Sequence, residues 1–240
     1  MSNRYELKYL LRWNQYQNML NKLTAFTRPD GYARNGKYKI VSLYYDTKDL
    51  KFYWEKVDGY DNRLKVRLRF YDDINSQEQV FLEIKQKDNQ TIIKRRTQIL
   101  LRDAYALLDR TIQPDAIRKR YSEATALVAE EVLYLSSIYQ LAPKVVVTYY
   151  RQPFVGLYDP RLRITFDSVL RYYDGNNLFS NTSSEYHIIH PEFVILEIKV
   201  AEQVPAWLVD FIGTNELIQQ RASKYCLAIE RLSNKHFFSV

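Results

Sequence analysis

Between Lys65 and Phe70 the chain alternates cation and apolar residue without a break: Lys65-Val66-Arg67-Leu68-Arg69-Phe70, closed by Tyr71. A strand has a side-chain period of two. It therefore puts Lys65, Arg67 and Arg69 on one face and Leu64, Val66, Leu68 and Phe70 on the other. The apolar face needs a core behind it. The cationic face carries three like charges that repel one another, which makes physical sense if it meets a polyanion.

The same design recurs along the chain. Val80 to Lys87 reads as a strand with Phe81, Glu83, Lys85 and Lys87 on one face, and Thr91 to Ile99 groups Ile92, Lys94, Arg96 and Gln98. With Arg63 to Tyr71 these form an antiparallel meander, joined by the polar turns Asp72 to Gln79 and Asp88-Asn89-Gln90. Arg4 to Tyr9, Lys39 to Asp46, Lys144 to Phe154, Arg161 to Arg171 and Phe193 to Val200 read as further strands. Lys51 to Lys56 reads as a continuation of the second strand after a loop. Helical spacing covers Trp13 to Phe26, two or three helices between Leu100 and Gln140 that Pro143 ends, and Ala206 to Leu232 with a break near Gly213. Arg28-Pro29-Asp30-Gly31 and Asp58 to Asn62 are turns, and Gly175 to Ser184 is a polar loop.

A solvated strand face is ordinarily rich in Thr, Ser, Gln and Glu. Here Lys8, Arg67, Arg69, Lys85, Lys94, Arg96, Arg151, Arg163 and Lys199 recur instead, with Glu6, Glu83, Asp167 and Glu197 among them. Like charges opposite one another on neighbouring strands are destabilising. A closed barrel would turn this face inward as a cationic tunnel, where phosphate oxygens neutralise it. Arg supplies bidentate forks and Lys point charges. The carboxylates cannot bind phosphate directly; their natural role is to hold Mg²⁺ or Mn²⁺.

Bulk properties agree. The 240 residues carry 35 Lys+Arg against 28 Asp+Glu, a net charge of +7, which suits an anionic partner. No Pro/Ser-rich linker divides the chain, so one domain over 1–240 is expected. Cys226 is the single cysteine, so no intramolecular disulfide forms and a reducing compartment fits. The first residues lack the apolar run of a signal peptide, and no apolar run approaches the roughly 18 residues of a spanning helix, so a soluble, cytoplasmic protein is expected. No P-loop or dinucleotide fingerprint occurs. His187 and His190 have metal-like spacing, but without a third soft ligand nearby they read as loop residues.

An ordered set of short motifs then resembles the catalytic domain of the vacuolar transporter chaperone (VTC) polyphosphate polymerases, within the triphosphate tunnel metalloenzyme superfamily. The set is Glu6-Leu7-Lys8-Tyr9, Ser42 to Thr47, Lys65 to Arg69, Leu82-Glu83-Ile84-Lys85, Lys94-Arg95-Arg96, Tyr149-Tyr150-Arg151, Arg161 to Asp167, Leu196-Glu197-Ile198-Lys199 and Ser223-Lys224-Tyr225. The resemblance implies an α+β fold: an antiparallel eight-stranded β-barrel tunnel with flanking helices. It implies that Lys8, Arg67, Arg69, Lys85 and Lys199 serve catalysis with Glu197, which holds the divalent metal (Mn²⁺ or Mg²⁺). Lys94, Arg96, Tyr149, Arg151, Arg163, Ser223 and Lys224 would bind substrate; which of Lys94, Arg95 and Arg96 fills the basic position stays open. The implied reaction transfers the γ-phosphate of ATP to a growing polyphosphate chain, with ATP and polyphosphate as partners and no duplex nucleic acid. Alternatives are a tripolyphosphatase or nucleoside triphosphatase on the same fold, and a polyphosphate- or RNA-binding module without turnover. The superfamily opens with two glutamates and a lysine at alternate positions; here Arg4 replaces the first glutamate, which favours transfer over hydrolysis.

Overall fold

The computed structural model describes residues 5–31, 36–71, 79–89, 91–175, 178, 185–220 and 223–237. Arg4, most of the turn expected at Asp72 to Gln79 and most of the loop expected from Gly175 to Ser184 lie outside them. The described chain is α+β. Its strands are β1 (Tyr5–Arg12), β2 (Thr27–Pro29), β3 (Tyr38–Asp46), β4 (Arg63–Tyr71), β5 (Gln79–Asp88), β6 (Thr91–Leu100), β7 (Ala142–Gly156), β8 (Arg163–Tyr173), β9 (Tyr186–His187) and β10 (Phe193–Val200). Its helices are α1 (Trp13–Leu23), α2 (Lys51–Val57), α3 (Leu101–Leu108), α4 (Pro114–Arg120), α5 (Glu123–Tyr139), α6 (Ala206–Thr214) and α7 (Lys224–Phe237).

Eight strands form one hydrogen-bonded path, β1-β10-β8-β7-β3-β4-β5-β6, with β2 added to β7 and β9 to β8. The registers of β1 with β10, β10 with β8, β2 with β7, β4 with β5 and β5 with β6 are all antiparallel. Among the described residues the path is open, ending at β1 and β6.

The contacts divide the chain into two compact units. The first comprises Met1–Ile40, Thr148–Arg171 and His187–Ser223; the second comprises Val41–Val147, Tyr172–Tyr186 and Lys224–Val240. In the first unit, Tyr9 and Leu11 of β1, Ile164 and Phe166 of β8, and Val194, Leu196 and Ile198 of β10 are buried with Met19 and Leu23 of α1 and Leu208 and Phe211 of α6. In the second, Val66, Leu68 and Phe70 of β4 and Val80, Leu82 and Ile84 of β5 are buried with Ala104, Leu107 and Leu108 of α3, Ile117 of α4, and Ala126, Ala129 and Val132 of α5. Each fully buried Val, Leu or Ile contributes about 1.5–3 kcal/mol. In both units, burying one strand parity against helices leaves the charged parity on the opposite face.

Three local expectations are corrected. Lys51–Val57 is the helix α2, not a strand. Asp46, at the end of β3, caps it: its carboxylate accepts the backbone N–H groups of Thr47 (2.7 Å), Phe52 (2.9 Å) and Tyr53 (3.0 Å). Thr27–Pro29 pairs with Phe154 to Gly156 of β7, so the expected turn at Arg28 is the end of a short strand. Pro143 does not end the preceding helices. Gln140 does so in the left-handed conformation (φ 49°), and Pro143 lies inside β7.

Candidate functional site: two charged strand faces

In the second unit, register stacks charged residues in rows across β4, β5 and β6. Lys65 faces Lys85, which faces Lys94; Arg67 faces Glu83, which faces Arg96; Arg69 faces Phe81, which faces Gln98. These three rows therefore hold six cations and one carboxylate, Glu83. Arg67 donates to Glu83 Oε2 through Nε at 2.6 Å, and its Nη2 lies 2.6 Å from the same oxygen. Arg96 Nε lies 3.5 Å and Arg69 Nε 3.9 Å from that carboxylate. Burial alone would raise the Glu83 carboxyl, but Arg67 and Arg69, with Arg96 behind them, hold it at about 2.

The guanidiniums are also fixed by rings and hydroxyls. Arg67 Nη1 donates to Tyr44 Oη at 3.0 Å, Arg69 Nε to Ser42 Oγ at 3.2 Å, and Arg69 Nη1 to Tyr71 Oη at 3.4 Å. Arg96 Cζ lies 3.6 Å from the Phe81 ring centroid, a cation–π contact. Tyr44 stacks on Tyr225, whose hydroxyl donates to Asp46 Oδ2 at 2.6 Å. Burial opposes ionisation of Tyr44, yet Arg67, Arg69 and Lys65 outweigh it and lower the phenol to about 8.

The triplet Lys94-Arg95-Arg96 is divided by the register. Lys94 and Arg96 share the face of Lys85 and Glu83. Arg95 points to the helical side, where its Nη2 lies 2.5 Å from Glu131 of α5 and donates to Gln86 at 2.8 Å.

The first unit is more evenly charged. Its rows run Glu6–Lys199–Arg163, Lys8–Glu197–Thr165 and Leu10–Ile195–Asp167 across β1, β10 and β8. Arg151 of β7 forms a bidentate pair with Asp167, at 2.7 and 2.8 Å, and lies 3.9 Å from Glu197. Burial disfavours the Arg151 charge, but Asp167 and Tyr149 outweigh that and hold the guanidinium well above its ordinary value. Tyr149 is buried, its ring centroid 5.5 Å from Arg151 Cζ. Lys8 Nζ lies 2.8 Å from Glu6 and 3.9 Å from Glu197, while Lys199 is in close contact with Glu197. Burial pulls the Lys199 ammonium below its ordinary value, with Glu197 opposing. Arg163 is half-exposed, 3.7 Å from Asp30. Ser223 and Lys224, at the entrance to α7, are half-buried.

The structure thus brings Lys8, Arg151, Lys199 and Glu197 together in one unit, and Arg67, Arg69 and Arg96 in the other. Lys85 and Lys94 stand beside the latter in register. Sequence parity placed Glu6, Glu83 and Asp167 on these faces, but their individual roles depend on register and were not legible. The supporting Ser42, Tyr44 and Tyr71 gave no signal beyond the Ser42 to Thr47 motif.

Residues 3–233 match the VTC domain. The chain belongs to the VTC domain family. No curated protein sequence matches it. Among solved structures, a candidate adenylate cyclase from Bacillus halodurans aligns with this VTC domain at a TM-score of 0.54 and 12% identity. That alignment covers 92% of this chain and 94% of the other. A Hippeastrum protein described as a candidate adenylyl cyclase with a dominant triphosphatase activity aligns at 0.49 and 13% identity, covering 94% and 96%. The first likeness supports the fold of the VTC domain.

In the first unit the carboxylates that could hold a divalent ion are Glu6 and Glu197. Both approach the Lys8 ammonium, Glu6 at 2.8 Å and Glu197 at 3.9 Å. Asp167 is committed to Arg151 and Glu83 to arginines. Among the described residues no three His, Cys, Asp or Glu side chains gather as a metal site. Two protein carboxylates, with phosphate and water completing the shell, suit Mg²⁺ or Mn²⁺.

Proposed function

We propose that this VTC domain is a metal-dependent polyphosphate polymerase that transfers the γ-phosphate of ATP to a growing polyphosphate chain. The observation that carries this reading is the charge imbalance in the paired rows of β4, β5 and β6, which hold six cations and one carboxylate. Such a face favours a ligand with several negative charges along its length.

Phosphoryl transfer is mainly positioning and charge neutralisation. The terminal oxygen of the acceptor chain attacks the γ-phosphorus, and the bond to the bridging oxygen breaks, so ADP leaves with the electron pair. An anionic phosphate acceptor needs no protein nucleophile and no base to deprotonate it. Arg67 and Arg69, braced by Glu83, Tyr44, Ser42 and Tyr71, would hold phosphate oxygens in fixed directions. Lys65, Lys85 and Lys94 would supply point charges, and Lys8, Lys199, Arg151 and Arg163 would bind phosphates on the face of the first unit. Glu197, with Glu6, would hold the divalent ion, which when bound supplies charge neutralisation to phosphate oxygens. Ser223 and Lys224 would add further contacts. A single buried cysteine suits a reducing, cytoplasmic setting, and no described helix is long and apolar enough to cross a membrane.

The test is incubation with ATP and Mn²⁺, read by a polyphosphate stain and an ADP assay. Long chains plus ADP are expected. Free phosphate without chains would replace the polymerase by a triphosphatase, and tight polyphosphate binding without turnover would leave a binding module. Glu197→Gln should abolish metal-dependent turnover while sparing much of the phosphate binding. Full activity in that variant would remove Glu197 from the metal site.

A further inference from the structure

Thr165 lies on β8 between Arg163 and Asp167, and its register partner on β10 is Glu197. It is 8% exposed, and its Oγ1 is buried without a hydrogen-bond partner. Loss of water from a hydroxyl that gains no partner is among the larger penalties one side chain can impose. Valine would fill the same space, favours strands equally and carries no such penalty. The threonine is therefore unfavourable in the ligand-free protein, and a bound polar group would relieve it.

The surroundings define what that group is. Lys8 and Thr165 flank Glu197 in one row, and Lys199 and Arg163 occupy the next. Cross-strand neighbours lie about 5 Å apart at Cβ, so a group held by these cations comes within reach of Oγ1. The Glu197 carboxylate is engaged by Lys199, with Lys8 and Arg151 each at 3.9 Å. Cations on three sides attract an anion, and the neutral hydroxyl can donate to it.

We propose that Thr165 is a substrate-binding residue whose hydroxyl donates a hydrogen bond to a phosphate oxygen of a bound phosphoanhydride chain. This rests on the phosphate-binding reading above and adds to it a donor that supplies direction without charge. Lysines and arginines draw in any polyanion; a buried hydroxyl rewards only an oxygen brought to one position.

The experiment is calorimetric titration with inorganic tripolyphosphate, without added metal, on the wild type, Thr165→Val and Thr165→Ser. Melting curves of the ligand-free proteins are measured in parallel. Loss of a hydrogen bond to a charged group predicts about tenfold weaker binding by Thr165→Val, with Thr165→Ser close to wild type. Ligand-free Thr165→Val should melt no lower than wild type, because an unpaired hydroxyl has been removed. Unchanged affinity in Thr165→Val would overturn the assignment. So would a clear fall in its ligand-free melting temperature, which would place the hydroxyl in a bond within the protein. A wild type that does not bind tripolyphosphate would instead overturn the underlying phosphate reading.

Discussion

Glu83 shows how a single residue can make a repulsive surface foldable. Arg67 and Arg96 are its direct neighbours in register, and Arg69 adds a third guanidinium within 3.9 Å. Without the carboxylate, the guanidiniums of Arg67, Arg69 and Arg96 would crowd one face with like charge and no counter-charge between them, an arrangement that destabilises a sheet. The carboxyl is buried and held at about 2, against an ordinary 4.5. Its folded value is depressed, so its contribution is fully present above about 4.5 and is lost as pH falls towards 2; the shift corresponds to something on the order of 3 kcal/mol. Glu83→Gln should therefore lower stability at neutral pH by about that amount. The difference from wild type should close as pH falls from about 4.5 to about 2. Urea unfolding at a series of pH values measures this. A stability difference that does not change with pH would show that Glu83 acts through packing rather than charge.

At the scale of elements, Asp46 sets the conformation of the chain beyond β3. Its carboxylate accepts three backbone N–H groups around the start of α2 and the hydroxyl of Tyr225 on α7. Burial, and then Asp46, push the Tyr225 phenol far above its ordinary value, so it stays a donor. Asp46→Ala strands these donors in a buried place and should cost more than about 2 kcal/mol. Asp58→Ala, at the exposed end of the same helix, should stay within about 0.5 kcal/mol of wild type. Denaturant midpoints of the two variants compare them directly, and equal effects would refute the role given to Asp46. The same residue explains where the sequence was and was not readable. Strands such as β4 and β10 announce themselves because a period of two needs no knowledge of partners. Lys51–Val57, rich in aromatics, looks strand-like locally; the cap that makes it a helix starts five residues before it. β2 hides behind Pro29-Asp30-Gly31 because its strand partner is β7, remote in sequence. The candidate site divides in the same way. Parity placed Lys94 and Arg96 together, but removing Arg95 from consideration required Glu131 on α5, and the unpaired state of Thr165 could emerge only from packing.

For the molecule as a whole, two electrostatic effects act at different ranges. The net charge of +7 is felt at a distance and speeds encounter with an anion. The half-buried cations act at contact, where solvent ions screen them poorly. Arg67 and Arg69 are braced by neutral hydroxyls as well as by Glu83, so they are oriented before a ligand arrives. Preorganisation of this kind reduces the ordering that binding demands and is expressed in the rate of release rather than of arrival. Raising ionic strength from about 0.1 M to about 1 M shortens the screening length from about 10 Å to about 3 Å. That should slow tripolyphosphate association markedly while changing dissociation much less. Arg69→Ala should show the reverse pattern at fixed salt, with faster release and a nearly unchanged arrival rate. Stopped-flow kinetics separate the two rates. If salt accelerated release as strongly as it slowed arrival, the contacts would be those of a solvated surface, and the buried strand faces would not be where phosphate binds.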